Sequence, residues 1–168
     1  MNSINTESVI RSFLIDVFNE ILKDEEQIVT KPFKRLSLRE VHVIEAVCKA
    51  DTKDGDNSAT AIAKSLDVTG GTLTTAVAGL EKKGYLLRQR DEKDKRIVRI
   101  IPTDKGRKVQ DYHMQYHKKM VDGIMYILND EETAVLIKAL GSLATFFKAK
   151  RTNHEITTDD LLSELDNS

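Results

Sequence analysis

Apolar positions recur at mixed spacings of three and four through Val9, Ile10, Phe13, Leu14, Val17, Phe18, Ile21 and Leu22. That rhythm predicts an N-terminal helix from about Thr6 to Val29 with one broad apolar stripe. Lys31-Pro32 ends it. Ser37-Leu38-Arg39-Glu40 reads as a capping box, and the helix it opens buries Val41, Ile44, Val47 and Cys48 before stopping near Ala50. The polar run from Asp51 to Asn57 is a turn-rich loop. Asn57 or Ser58 then caps a short helix, Ala59 to Leu66, with Ala61, Ile62 and Leu66 inward. After the turn Asp67-Val68-Thr69, Thr69 caps a second short helix that runs to about Lys83 and is stopped by Gly84. Its inward face is Leu73, Val77 and Leu80. Two short helices joined by so tight a turn form a helix-turn-helix pattern.

The period then changes. Tyr85 to Arg90 and Ile97 to Ile101 alternate as strands, and the polar stretch from Asp91 to Arg96 is the hairpin tip between them. Thr103 caps a long helix from Asp104 to about Leu128. Asp130-Glu131-Glu132 opens the last helix, which carries Val135, Leu136, Leu140, Leu143, Ala144, Phe146 and Phe147 to about Lys150. The expected fold is mostly α: a winged helix-turn-helix domain with a small β-hairpin wing, plus N- and C-terminal helices forming a dimerisation region. The expected boundaries are 1–36 for the first helix, 37–103 for the winged domain, 104–150 for the C-terminal helices and 151–168 for an acidic, disordered tail. One small winged domain cannot cover the apolar stripes of the first and last helices, so association of two chains is the economical solution.

Charge changes the picture most. Between Lys82 and Lys108 the chain carries eleven basic residues against four acids, a local charge of +7 in a chain of net charge −1. A near-neutral chain with one strongly basic module has the footprint of a polyanion binder. The preceding helix begins Thr69-Gly70-Gly71-Thr72-Leu73-Thr74-Thr75. With Leu73 inward, Thr69, Gly70, Gly71, Thr72, Thr74 and Thr75 are the candidate contacts to double-stranded DNA, at the end of the helix that would enter a major groove. No Arg, Asn or Gln stands on that face, which predicts modest direct readout supplemented by DNA shape. In the hairpin, Lys93 and Lys95 are candidate phosphate contacts. Arg96, with Asp94 beside it to hold its guanidinium, is the candidate for a narrow minor groove. Arg88, Arg90 and Arg99 either flank these or pair with nearby acids. A competing reading is a winged module whose basic ribbon receives an acidic protein, with only weak DNA binding.

Other functional classes find less support. No nucleophile–base arrangement, Gly-rich phosphate loop or metal motif is present, so no enzyme activity, cofactor or metal is expected. His113 and His117 stand at i and i+4, but two ligands are not a site, no third is obviously placed, His42 could join only through tertiary contact, and capping or core hydrogen bonds are the ordinary role of such residues. Cys48, the only cysteine, is expected to be a buried, inert thiol. The polar Met1 to Thr6 stretch predicts no secretory leader, and no apolar run is long enough to span a bilayer. The expected location is the cytoplasm, without membrane contact.

Leu80-Glu81-Lys82-Lys83-Gly84-Tyr85-Leu86-Leu87-Arg88, then Asp91-x-x-Asp94-x-Arg96, then Pro102-Thr103-Asp104-Lys105-Gly106 resembles the MarR family of bacterial transcription regulators. That family places an Asp-x-x-Asp-x-Arg motif in its wing and usually has Leu where Pro102 stands here. The resemblance covers roughly Asn5 to Lys150. Within the family, Ser37 to Ile44, Val68 to Thr75 and His113 to Val121 look like the repressors of fatty-acid synthesis. The resemblance implies a homodimer on a pseudo-palindromic operator, with long-chain acyl-acyl-carrier protein or a small apolar ligand as effector. The longer loop from Asp51 to Asn57 is a departure that leaves the effector open. The family's effector pockets point to Phe13, Val17, Phe33, His42, Tyr112 and Phe146 as candidate lining residues, each of a kind that is more often plain core than ligand contact.

Overall fold

Ten elements follow one another along the chain in a computed structural model that describes residues 5–33, 36–52 and 54–152. They are α1 (Thr6–Ser12), a π-helical stretch (Phe13–Val17), α2 (Phe18–Thr30), α3 (Leu38–Ala50), α4 (Ala59–Ser65), α5 (Gly70–Lys82), β1 (Leu86–Arg90), β2 (Val98–Pro102), α6 (Asp104–Ile127) and α7 (Asp130–Thr152). The chain is mostly helical and contains a winged helix-turn-helix. It divides into two compact units, Met1–Lys119 and Met120–Ser168, that part within α6. Residues 153–168, most of the expected acidic tail, lie outside the described residues. Among the described residues, no helix is long and apolar enough to cross a membrane.

Local signals set most helix ends. Ser37 Oγ accepts from the Glu40 amide while the Ser37 amide donates to Glu40 Oε2, so the capping box is complete. Of the two candidate caps for α4, Ser58 is the one whose side chain accepts, from the Ala61 amide at 3.2 Å. Thr69 Oγ1 accepts from the Thr72 amide at the start of α5. At the other end of α5, Gly84 adopts φ +76°, its amide reaches Glu81 O and the Tyr85 amide reaches Leu80 O. That is a Schellman motif, and it turns the chain directly into β1.

The core of the first unit gathers Val41, Ile44 and Val47 of α3, Ile62 of α4, Leu73, Val77 and Leu80 of α5, Leu86 and Ile100 of the hairpin and Val109 of α6. Each is at most 2% exposed, which is worth roughly 1.5–3 kcal/mol per large aliphatic side chain. The hairpin is antiparallel, with Leu86 opposite Pro102, Arg88 opposite Ile100 and Arg90 opposite Val98. The Ile100 amide donates to Asn57 O, which ties the wing to the segment before α4. Thr103 Oγ1 lies 2.8 and 3.0 Å from Gly84 O and Tyr85 O and accepts from the Gly106 amide. Gly106 is required here, because a Cβ would stand 2.4 Å from Tyr85 O.

One detail departs from expectation, and one cap was not foreseen. The first helix is interrupted by the π-helical stretch at Phe13–Val17. Its stripe mixes threes and fours, so the hydrophobic pattern does not distinguish the windings. The last helix is capped by Asn129, whose side chain accepts from the Glu132 amide while Glu132 Oε2 accepts from the Asn129 amide.

Candidate nucleic-acid interface

The N-terminal turn of α5 is exposed along Thr69, Gly70, Gly71, Thr72, Thr74 and Thr75, while Leu73 between them is buried. The expected outward set therefore shares one accessible surface. The hydroxyls are already engaged: Thr74 Oγ1 donates to Gly70 O, Thr75 Oγ1 to Gly71 O, and Thr69 and Thr72 Oγ1 lie 2.9 Å apart. With their hydroxyl protons given to the helix backbone, Thr74 and Thr75 keep only acceptor capacity at Oγ1. Backbone amides at the helix start add a partial positive charge.

Nine of the eleven basic residues in this segment separate into two kinds. Five cations brace the fold. Lys83 Nζ bridges both carboxylate oxygens of Glu40 at 2.7 and 2.8 Å. Arg88 donates Nε and Nη2 to Glu81 Oε2. Arg99 donates Nε to Asp91 Oδ2 at 2.7 Å and Nη1 to Asn57 and Asp56. Lys105 sits 4.0 Å over the Tyr85 ring and donates to Lys83 O. Arg107 pairs with Asp51. By contrast, no acid among the described residues pairs with the side chains of Arg90, Lys93, Lys95 or Arg96, and all four are exposed. Of the wing candidates, Arg88 is thus held by an acid on α5, while the four tip cations point their charge at solvent.

Asp94 corrects an expectation. Its Oδ1 accepts from the Arg96 main-chain amide at 3.0 Å and does not hold the guanidinium. An Asp two residues before a free amide closes a local turn more readily than it captures the end of a long, flexible side chain. Asp91, the first acid of the Asp-x-x-Asp-x-Arg motif, holds a guanidinium instead, that of Arg99. Asp91 Oδ1 accepts from the Lys93 and Asp94 amides, and Oδ2 accepts from Arg99. The Asp94 amide, the Arg99 guanidinium and the Lys93 amide together hold the Asp91 carboxyl down at about 2. The hydrogen bonds from Arg88 likewise lower Glu81. At Glu40 burial acts upward, but Lys83 and Ser37 outweigh it and the carboxyl is lowered. Two Asx turns, at Asp91 and Asp94, were the readable signal for how this tip is shaped.

Of the six effector-pocket candidates, five lie in the first unit and Phe146 in the second. Phe33 and Tyr112 meet edge to face at 5.5 Å. Phe13 and Val17 are 51% and 40% exposed. Phe146 packs against Phe147 in the second unit. His42 lines an open cleft of about 590 Å³ with Glu45, Ala46, Lys49, Ser65 and Leu66. Cys48 is buried as expected, and burial pushes its thiol up to about 11.

A family model described as the MarR family matches residues 53–98, the stretch from the loop before α4 to the start of β2. The crystal structure of Streptococcus pneumoniae FabT in complex with DNA is 36% identical, covers 85% of this chain and 98% of its own, and superposes with a TM-score of 0.78. The chain belongs to the MarR family. The Bacillus subtilis transcriptional repressor YetL is 32% identical over 93 residues, 55% of this chain and 56% of its own length. The chain thus spans little more than half the length of that curated relative. A Staphylococcus aureus MepR–DNA complex, at 21% identity, 80% and 96% coverage and a TM-score of 0.63, shares the MarR-family fold.

Proposed function

We propose that this chain is a sequence-specific DNA-binding transcription regulator of MarR type, a repressor that acts as a homodimer. The observation that carries the reading is the pairing of an exposed helix N-terminus on α5 with a wing tip whose four cations have no acidic partner among the described residues. Thr72, Thr74 and Thr75 would read base edges in the major groove. Their acceptors suit adenine or cytosine amino groups, and their methyls suit thymine. Arg96 would enter the adjoining minor groove while Arg90, Lys93 and Lys95 meet phosphates.

Exposed apolar residues on α1 (Val9, Ile10), the π-helical stretch (Phe13, Ile15) and α7 (Val135, Ile137, Leu140) supply the surface for a second copy. Two recognition helices about 34 Å apart would then match a pseudo-palindromic operator. That both FabT and MepR have been crystallised on DNA supports the reading. The subfamily resemblance read from the sequence extends it to lipid-synthesis genes, with acyl-acyl-carrier protein or a small apolar ligand as effector. Such a molecule acts by binding one spacing of the two recognition helices better than another.

The test is fluorescence anisotropy on a palindromic promoter fragment and a random duplex across a salt series. Expected is preference for the palindrome and a log–log salt slope of roughly −0.9 per phosphate contacted. Equal affinity for both duplexes would replace this reading with the winged module that receives an acidic protein.

A further inference from the structure

Three side chains from two helices of the first unit converge on one point, and a fourth from a third helix stands beside them. They are Glu25 of α2, His42 of α3, and His113 and His117 of α6. Nε2 of His113, His117 and His42 lies 2.7, 3.3 and 3.5 Å from the same oxygen, Glu25 Oε1. Nε2 of His113 and Nε2 of His117 are 3.0 Å apart. Glu25 and His113 are buried, whereas the side chains of His42 and His117 remain 44% and 38% exposed. The focus therefore has a polar buried floor and a side open to solvent.

Hydrogen bonding alone satisfies this cluster incompletely. The Nε2 atoms of His113 and His117 face each other and the same carboxylate oxygen, so their lone pairs and protons compete for one small volume. The second ring nitrogen of His113, Nδ1, is buried 3.3 Å from Glu45 Oε2 without completing a hydrogen bond. Buried polar atoms left in that state call for an explanation.

A cation at the focus accounts for each feature. Donors around a tetrahedral zinc ion, bound at about 2.0–2.1 Å, stand roughly 3.3–3.4 Å from one another. Glu25, His113 and His117, with separations of 2.7 to 3.3 Å, reach that arrangement with shifts of a few tenths of an ångström, and His42, 3.5 Å from Glu25 Oε1, closes the fourth position by turning its ring toward the ion. Coordination through Nε2 leaves the His113 Nδ1 proton directed at Glu45, the carboxylate partner that commonly orients a metal-bound imidazole. Three imidazoles and one carboxylate suit a borderline transition metal rather than calcium or magnesium.

We propose that Glu25, His42, His113 and His117 form a binding site for one zinc-class divalent transition-metal ion per chain. The proposal is independent of whether the chain binds DNA. It also ties α2, α3 and α6 through one ion, so occupancy stabilises the first unit by mass action.

The test uses the full chain, stripped with chelator and titrated with Zn²⁺ against a chromophoric competitor. Co²⁺ serves as the spectroscopic probe. Expected is one equivalent bound per chain, intense visible bands of tetrahedral Co²⁺, and a rise in the melting midpoint with Zn²⁺. His42→Ala and His117→Ala, both at partly exposed positions and checked for native circular dichroism, are each expected to weaken Zn²⁺ binding at least about tenfold. His154→Ala, outside the described residues, is expected to leave it unchanged. No retained equivalent, or an equivalent that both cluster substitutions leave untouched, overturns the proposal.

Discussion

Arg96 and Arg99 sit three positions apart on the same wing and have opposite tasks. Arg99 is spent on Asp91, Asp56 and Asn57, whereas Arg96 has no acid beside its side chain among the described residues. Arg96→Ala is therefore expected to weaken operator binding by about 1–3 kcal/mol and flatten the salt slope, with the melting midpoint unchanged. Anisotropy and thermal unfolding check both halves. Arg99→Ala should instead loosen the tip, visible as faster amide exchange at Lys93 and Asp94. The pH dependence follows from Asp91, whose carboxyl is held at about 2 against an ordinary 3.8. The folded value lies below the unfolded one, so protonation works against the ordered tip. Its contribution is complete above about pH 4 and drains away as pH falls toward 2. Hydrogen exchange at Lys93 and Asp94 across that window measures it. Residue types told which side chains could touch DNA, but not which of the eleven basic residues between Lys82 and Lys108 were already committed. Arg88 and Glu81 lie only seven positions apart, yet their pairing requires the α5–β1 turn to be closed first.

At the scale of elements, the chain is punctuated by a few backbone requirements. Gly84 sits in the left-handed region and Gly106 lies against Tyr85 O. Gly84→Ala is expected to cost about 1 kcal/mol, because only the backbone conformation is strained. Gly106→Ala is expected to cost more, about 1–3 kcal/mol, since α6 must move off the wing to admit the methyl. Denaturant unfolding of the two variants tests that order. The capping box at Ser37, the Thr69 cap and the stop at Gly84 were legible because each depends on residues within one helical turn. The Asn129 cap follows the same rule and was hidden by the more conspicuous acids after it. The π-helical stretch was not legible, since a broad apolar stripe tolerates more than one winding.

For the whole molecule, the exposed apolar surface is the unresolved quantity. Val135 and Leu140 of α7 are 68% and 51% exposed. Val135→Glu with Leu140→Glu is expected to yield a monomer by light scattering and to abolish preference for the palindrome. A dimer that survives both changes would remove α7 from the proposed interface. The fold class was readable from the residues, because hydrophobic period and caps are properties of short windows. So was the basic ribbon, because charge is a property of composition. The partners of those charges were not. Glu25 and His113 are 88 positions apart, and nothing in either neighbourhood announces the other. His113 and His117, with His42 as a residue that only tertiary contact could bring in, lacked an acid until α2 placed Glu25 against α6. The sequence by itself determined the mostly helical winged architecture and where positive charge concentrates. The tertiary structure decided which cations are braced, what Asp91 and Asp94 each hold, and that a buried carboxylate meets three imidazoles. Those outcomes depend on long-range packing, which no local pattern encodes.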